Sequence, residues 1–403
     1  MSSSEEYSRF LDSHIEAMSI EPDTIFSKEK PFVVPFASHK FVINLCNDVS
    51  RVLMEDPIML ELDENLVVVG DLHGHLMDLY RIIRKCDLPP NSTYLFLGDL
   101  VDRGEFSIET TCLVLTLKLL FPRHVYIIRG NHEFGTSSKN AGLFNEVVAV
   151  YPNTNVYEAM IECFATIPLA ARLSQKILCI HAGLSPGLQA LSQITSIQRP
   201  ISGYDDPIVC GLVWSDPRDS LDGFTNSPRG SGFLFGKEAT ITFLRENNLD
   251  LLIRGHECVK NGFQAKFSNR ILTVFSASNY CGQSENNGAV LLIEKGGKIK
   301  TKTFPFTEYL RRKDAKFFKI ESKEPLNWIF NTMTPNFPSF DMNLSNISKS
   351  IDDIDQFHNA SIRKTEGIIA KQPLFCLARR RTRASSKVTE SLHIAKILLP
   401  RVN

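Results

Sequence analysis

Apolar residues in this chain gather into short runs that stop at a glycine. Leu66-Val67-Val68-Val69 precedes Gly70, Tyr94-Leu95-Phe96-Leu97 precedes Gly98, and residues 124–128 are followed by Arg129-Gly130. Continuous runs of this length read as strands buried on both faces. Between them the period changes. Leu76, Leu79, Tyr80 and Ile83, and then Ile108, Cys112, Leu115 and Leu119, recur at helical spacing. This β-α-β-α-β alternation predicts a parallel sheet with helices on its faces. Upstream, Phe41, Leu45, Val49 and Leu53 recur every four residues and predict an amphipathic helix over 38–54. Downstream, residues 176–180 and 249–253 read as two further strands. Residues 264–267, 271–275, 289–293 and 299–304 read as short antiparallel strands that complete a second sheet.

The ends of the chain lack this rhythm. Residues 1–37 form an N-terminal extension, polar and Ser/Glu-rich at its start, for which loose order is expected to about residue 30. Residues 307–403 form a C-terminal extension, expected to be partly disordered and basic at its end. Lysines and arginines balance aspartates and glutamates at 45 each, so no global charge pulls the chain toward nucleic acid. Residues 379–403 nevertheless carry +6, leaving −6 on the rest. The nine cysteines are scattered without a Cys-x-x-Cys pair, which argues against a disulfide framework or a thiolate zinc site. The N-terminus lacks an apolar signal region, and no run of about 18 apolar residues is present. The expected location is the cytoplasm or nucleus.

The residues just past each strand carry candidate chemistry. The five strand ends are Gly70-Asp71-Leu72-His73-Gly74, Gly98-Asp99-Leu100-Val101-Asp102-Arg103-Gly104, Gly130-Asn131-His132-Glu133, His181-Ala182-Gly183 and Arg254-Gly255-His256-Glu257. Ligands of open α/β sheets bind outside the carboxyl ends of the strands. Asp, Asn and His there suit hard or borderline divalent metals such as Mn, Fe or Zn. Asp71 and His73, two residues apart, point the same way from an extended segment. A turn-capping Asp or a satisfied His explains any one of these blocks, but not five together.

GDLHG, GDLVDRG, RGNHE, HAGL, RGHE and SASNYC, in this order and spacing, resemble the signature blocks of the phosphoprotein phosphatase family. LVWSDP at 212–217, Arg229-Gly230 and FLFG at 233–236 extend the likeness, which spans residues 38–306 and is closest to type-1 and type-2A catalytic subunits. The resemblance implies an α/β fold of metallophosphoesterase type: a β-sandwich with a βαβαβ metal-binding core flanked by helices. It implies a protein serine/threonine phosphatase in which water activated between two divalent ions attacks phosphoserine or phosphothreonine directly. By the same resemblance Asp71, His73 and Asp99 hold one ion, and Asp99 bridges to a second held by Asn131, His181 and His256. Arg103 and Arg229 grip phosphate oxygens, Tyr280 lines the pocket, and His132, supported by Asp102, protonates the leaving oxygen. Cys281 is not required as a nucleophile. The alternative is a metallophosphoesterase acting on nucleotides or small phosphate esters, with which the early blocks are shared.

The chain departs from the family where His75, Ala182, Glu257 and Ser278 replace the usual Gln, Gly, Gln and Pro, and where Ala141 replaces a Tyr. Glu257 is expected to add negative charge beside the metals. Ala265 stands where type-1 enzymes carry an aromatic in a regulator-docking channel, so that site is not carried over. Phosphoprotein substrates and regulatory or targeting subunits are the implied partners. The tail suggests a basic-directed kinase site at Ser385, contact with a membrane or a calmodulin-like partner through Val388, Leu392, Ile394, Ile397 and Leu398, or autoinhibition.

Overall fold

A computed structural model describes residues 3–19 and 32–320. The basic end, Ser385 and the apolar positions from Val388 onward lie outside the described residues. In chain order the elements are α1 (Ser3–Met18), β1 (Phe32–Phe36), α2 (His39–Glu55), β2 (Met59–Leu62), β3 (Leu66–Val69), α3 (Leu76–Cys86), β4 (Tyr94–Phe96), α4 (Ser107–Leu120), β5 (Val125–Ile127), α5 (Gly135–Ala141), α6 (Leu143–Val150), α7 (Val156–Phe164), β6 (Ala170–Leu173) and β7 (Ile177–Ile180). Then come α8 (Leu191–Thr195), α9 (Pro207–Trp214), β8 (Asp216–Pro217), β9 (Phe224–Asn226), β10 (Phe233–Phe235), α10 (Lys237–Glu246), β11 (Leu251–Arg254), β12 (Phe263–Lys266), β13 (Ile271–Val274), β14 (Gly288–Glu294), β15 (Lys298–Phe304) and β16 (Ala315–Lys319).

Two sheets face each other. One has the order β15-β14-β3-β4-β5, with β3, β4 and β5 parallel as the alternation predicts. The other has the order β12-β13-β11-β7-β6-β2. Val68, Leu95 and Leu291 of the first sheet pack against Ala171, Cys179, Ile253 and Leu272 of the second, forming an apolar layer between them. The outward residues of the first sheet, among them Val67, Val69 and Phe96, are covered by α2, α3 and α4 through Leu45, Leu79 and Ile108. Leu178, Ile180 and Leu252 of the second sheet are covered by Leu212 and Phe243 of α9 and α10. Strands that are apolar on both faces need such cover, which is why their sequences show no alternation. The fold is the helix-flanked α/β sandwich that the resemblance implies. Among the described residues no helix is long and apolar enough to cross a membrane.

Two expectations are corrected. The late strands do not form one second sheet. β12 and β13 extend the sheet of β7 and β11, whereas β14 and β15 return to the first sheet, with β14 antiparallel to β3. Strand partners are non-local, and local pattern does not choose between two apolar faces. Nor is the start of the chain loose throughout. α1 packs on α3, α4 and β1, with Phe10 fully buried between His14 and Phe41. Tyr7, Phe10, Leu11, His14 and Met18 make its buried face, a helical spacing masked by the polar residues around it. At the other end β16 pairs in parallel with β1, so packed structure extends beyond both edges of the 38–306 span.

Candidate metal centre

The carboxyl ends of β3, β4, β5, β7 and β11 open on one edge of the sandwich. The loops after β4 and β5 touch. A Cβ on Gly98, whose φ is +92°, would lie 2.1 Å from the Gly130 nitrogen, and one on Gly130 would lie 2.2 Å from Asp99 Oδ1. Only glycine fits at either place. Glu133 ties the loops together. Its Oε2 accepts from the Asp99 and Gly130 amides at 2.8 and 2.9 Å, and its Oε1 from the Leu100 amide at 2.7 Å. The sequence pattern assigns Glu133 no role, since a buried carboxylate that organises backbone carries no local signature. The expectation that Asp71 and His73 share one extended segment is also corrected. The chain turns at His73, φ +44°, where the Leu72 and His73 amides both donate to Asp99 O.

Eight predicted side chains converge here. Asp99 Oδ2 lies 3.5 Å from His73 Nε2 and 3.3 Å from His181 Nε2, and Asp71 Oδ2 lies 3.8 Å from His73 Nε2. Asn131 Oδ1 is 3.0 Å from both His181 Nε2 and His256 Nδ1, and those two nitrogens are 3.2 Å apart. His132 joins His73 and Asp99 in a group whose ligand atoms lie within 4.8 Å of one another, as do Asp99, His181 and His256. His132 Nδ1 is 2.6 Å from Asp102 Oδ2, and Asp102 Oδ1 accepts from the Leu143 amide at 2.6 Å.

The donor set fits divalent ions on a hydrogen-bonding argument. His73 Nδ1 is 2.9 Å from Val101 O, and His181 Nδ1 is 2.9 Å from Leu97 O. A carbonyl only accepts, so both rings carry a proton on Nδ1 and turn Nε2 toward the carboxylates. An Nε2 lone pair facing carboxylate oxygens across 3.3–3.8 Å repels them unless positive charge, a metal ion or a ring proton, sits there. Metal-binding imidazoles are oriented in this way by their second nitrogen. The electrostatics divide the rings, leaving two neutral and drawing a proton to the third. Burial lowers His73 and His256 well below the usual imidazole range. Burial also opposes charge on His181, but the Asp99, Asp71 and Glu133 carboxylates outweigh it and lift that ring to about 9. Asp71, buried and beside Asp99, is raised to about 7 even though His181 opposes the rise.

The remaining predicted residues border this cluster. The Tyr280 ring centroid lies 5.2 Å from that of His73. Arg103 directly follows Asp102 and acts electrostatically on Tyr280 and His132. Asp216 holds Arg229 through Nε at 2.6 Å and the buried Arg254 through Nη2 at 2.9 Å. Glu257 Oε2 lies 2.9 Å from Arg254 Nη1. The charge expected from Glu257 beside the metals is therefore directed into a pair with a buried guanidinium.

Residues 65–260 match the calcineurin-like phosphoesterase family. A protein serine/threonine phosphatase from Saccharomyces cerevisiae is 30% identical, with a TM-score of 0.65, over 74% of this chain and 97% of that one. A cold-active protein-tyrosine phosphatase from a Shewanella species is 15% identical, with a TM-score of 0.46, over 63% of this chain and 84% of that one. Glycine-hinged strand ends, a cation-demanding cluster of oxygen and imidazole donors, and the match to the family agree that the chain belongs to the calcineurin-like phosphoesterase family, metal-dependent hydrolases that use a dinuclear centre.

Proposed function

We propose that this chain is a protein serine/threonine phosphatase. The observation that carries the reading is the His132–Asp102 pair, 2.6 Å apart at the rim of the donor cluster. A serine or threonine alkoxide leaves poorly, and a positioned acid is worth about 10²–10⁴ in rate. The His132 amide donates to Asp99 Oδ1 at 2.9 Å, so the loop that carries the acid is tied to the loop that carries the metal ligand. Asp102 holds the His132 proton on Nδ1 and favours the charged ring. Burial opposes that charge, but Asp99 and Asp102 outweigh it, so His132 titrates above the usual imidazole range. With Nδ1 committed to Asp102, Nε2 is the nitrogen left to protonate the leaving oxygen.

Asp71, His73 and Asp99 would hold one ion, and Asp99, Asn131, His181 and His256 the second. Two such ions, when bound, supply Lewis acidity and a water nucleophile at neutral pH. Arg103 and Arg229 would bind the phosphoryl oxygens, for which a planar guanidinium is suited. Asp216 fixes the direction of Arg229. Similarity to the yeast serine/threonine phosphatase over nearly its whole length supports a phosphoprotein substrate over a nucleotide.

The test is manganese-dependent phosphate release from a phosphothreonine peptide, comparing wild type with Asp99→Asn and His132→Asn. Both variants should lose at least about a hundredfold in kcat. A wild-type chain that cleaves a dinucleoside polyphosphate but not the phosphopeptide would overturn the reading.

A further inference from the structure

Beyond β15 the chain turns back across the rim of the site. Thr307 O accepts from Asn279 Nδ2 at 2.9 Å, beside Tyr280, and the Tyr309 hydroxyl donates to Arg103 O at 3.4 Å. The segment is then anchored by Arg312, which is 3% exposed although charged. Its Nη2 lies 2.7 Å from Glu109 Oε1, and its Nη1 lies 2.9 Å from Glu109 Oε2, 3.2 Å from Glu146 Oε1 and 2.9 Å from Glu105 O. The guanidinium packs over the Phe317 ring, 4.6 Å from its centroid.

Glu146 leads from this anchor to the catalytic pair. Its two oxygens accept from the Ser107 and Ile108 amides at 3.1 Å each, fixing the start of α4. Ser107 Oγ accepts from the Asp102 amide at 3.1 Å. Glu146 lies on α6, whose first amide, Leu143, donates to Asp102 Oδ1. Asp102 is thus held on two sides by elements that Glu146 joins. Burial raises the Glu146 carboxyl to about 7, with Arg312 opposing the rise and Glu109 adding to it. Loss of the guanidinium would favour the protonated carboxyl further, and a protonated carboxyl accepts more weakly from the two amides.

We propose that Arg312 is a positioning residue for the His132–Asp102 pair, acting through Glu146, α4 and α6. The inference rests on the phosphatase reading of that pair. In the full-length chain with manganese and a phosphothreonine peptide, Arg312→Met should lower kcat about tenfold while KM stays within about twofold, because geometry rather than binding is lost. Arg312→Lys should recover part of the loss. Arg311→Gln should change neither constant, since Arg311 is 59% exposed and pairs only loosely with Glu105 at 3.4 Å. Hydrogen exchange at the Ser107 and Leu143 amides should accelerate selectively in Arg312→Met and Arg312→Lys. Should Arg312→Met fail to fold, Arg312→Lys decides by the same readouts. Folded Arg312 variants with wild-type kcat, or with exchange accelerated uniformly across the chain, would overturn the proposal. A wild-type chain without turnover would instead defeat the phosphatase reading, and selective exchange at Ser107 and Leu143 would still decide whether Arg312 orders Asp102.

Discussion

The strand-end loops and the α1–β1–β16 periphery are both buried and well packed, yet they are held by opposite means. In the loops the backbone is contorted. His73, Asp99, Asp102, Arg103 and His256 all have positive φ, between 44° and 71°. Conformations of this kind cost about 1–3 kcal/mol each and persist where the surroundings over-determine them. Here the surroundings are directed polar contacts, with Glu133 accepting three amides and Asp71 accepting the His256 amide through both oxygens. Among the described residues of α1, β1 and β16 no φ is positive. That region is joined by aromatic packing and one parallel ladder. The contrast implies that the loops store geometry for chemistry, while the periphery supplies stability without touching the reacting groups.

The largest effect that would separate the two regions comes from Phe10→Ala. Phe10 is fully buried, with its ring centroid 4.6 Å from that of Phe41. Losing a buried phenyl and leaving a cavity costs about 3–5 kcal/mol. Urea unfolding should show that loss, and kcat per folded molecule should stay at the wild-type value. A fall in kcat matching the fall in stability would erase the contrast, because α1 would then belong to the catalytic machinery.

A smaller effect should come from pH. His14 on α1 is fully buried, with Nδ1 2.6 Å from the Tyr80 hydroxyl and no partner for Nε2. Burial lowers its pKa to about 3 in the folded chain, from 6.5 when unfolded. The unfolded chain therefore binds the extra proton first. The stability from neutral His14 is complete above about pH 6.5 and is lost as pH falls toward 3. Between pH 7.5 and 5.5 the loss is about 1.4 kcal/mol. In His14→Asn, whose Oδ1 can still meet the Tyr80 hydroxyl, the urea midpoint should fall less over that interval. Equal pH slopes in the two proteins would remove His14 as the cause.

The same contrast explains what could be read from the sequence. The candidate site was legible because its information is local: a strand, a glycine turn and a polar donor within five or six residues, repeated at five strand ends. β3, β4, β5 and α2 were legible for the same reason, from unbroken periodicity. The assignment of β14 to β3 was not, since their partnership spans more than 200 residues. Glu133 and Arg312 were missed because each acts on amides or carboxylates brought near by folding, and nothing in their own sequence neighbourhood marks them. α1 was missed because polar residues, Ser13 and His14, share its buried face and interrupt the apolar stripe.

Glu257→Gln should have the smallest effect, and it tests whether proximity to the centre is enough to make a residue matter. Glu257 adjoins His256 in sequence, yet its carboxylate lies 2.9 Å from Arg254 Nη1 and its side chain is 21% exposed. Arg254 keeps Asp216 Oδ1 at 2.9 Å and the carbonyls of Ala182 and Ser215 when the Glu257 charge is removed. A glutamine can still accept from Nη1, so the guanidinium loses a charge but not a contact. Because Arg254 keeps its buried pair with Asp216, the loss should be on the order of 1 kcal/mol. The variant should keep kcat within about threefold, with an unchanged manganese requirement, in a phosphopeptide assay run across pH. A shifted pH optimum or weakened manganese activation would mean that the field of Glu257 reaches the centre past Arg254, and that the electrostatic boundary of the site lies farther out than its directed contacts.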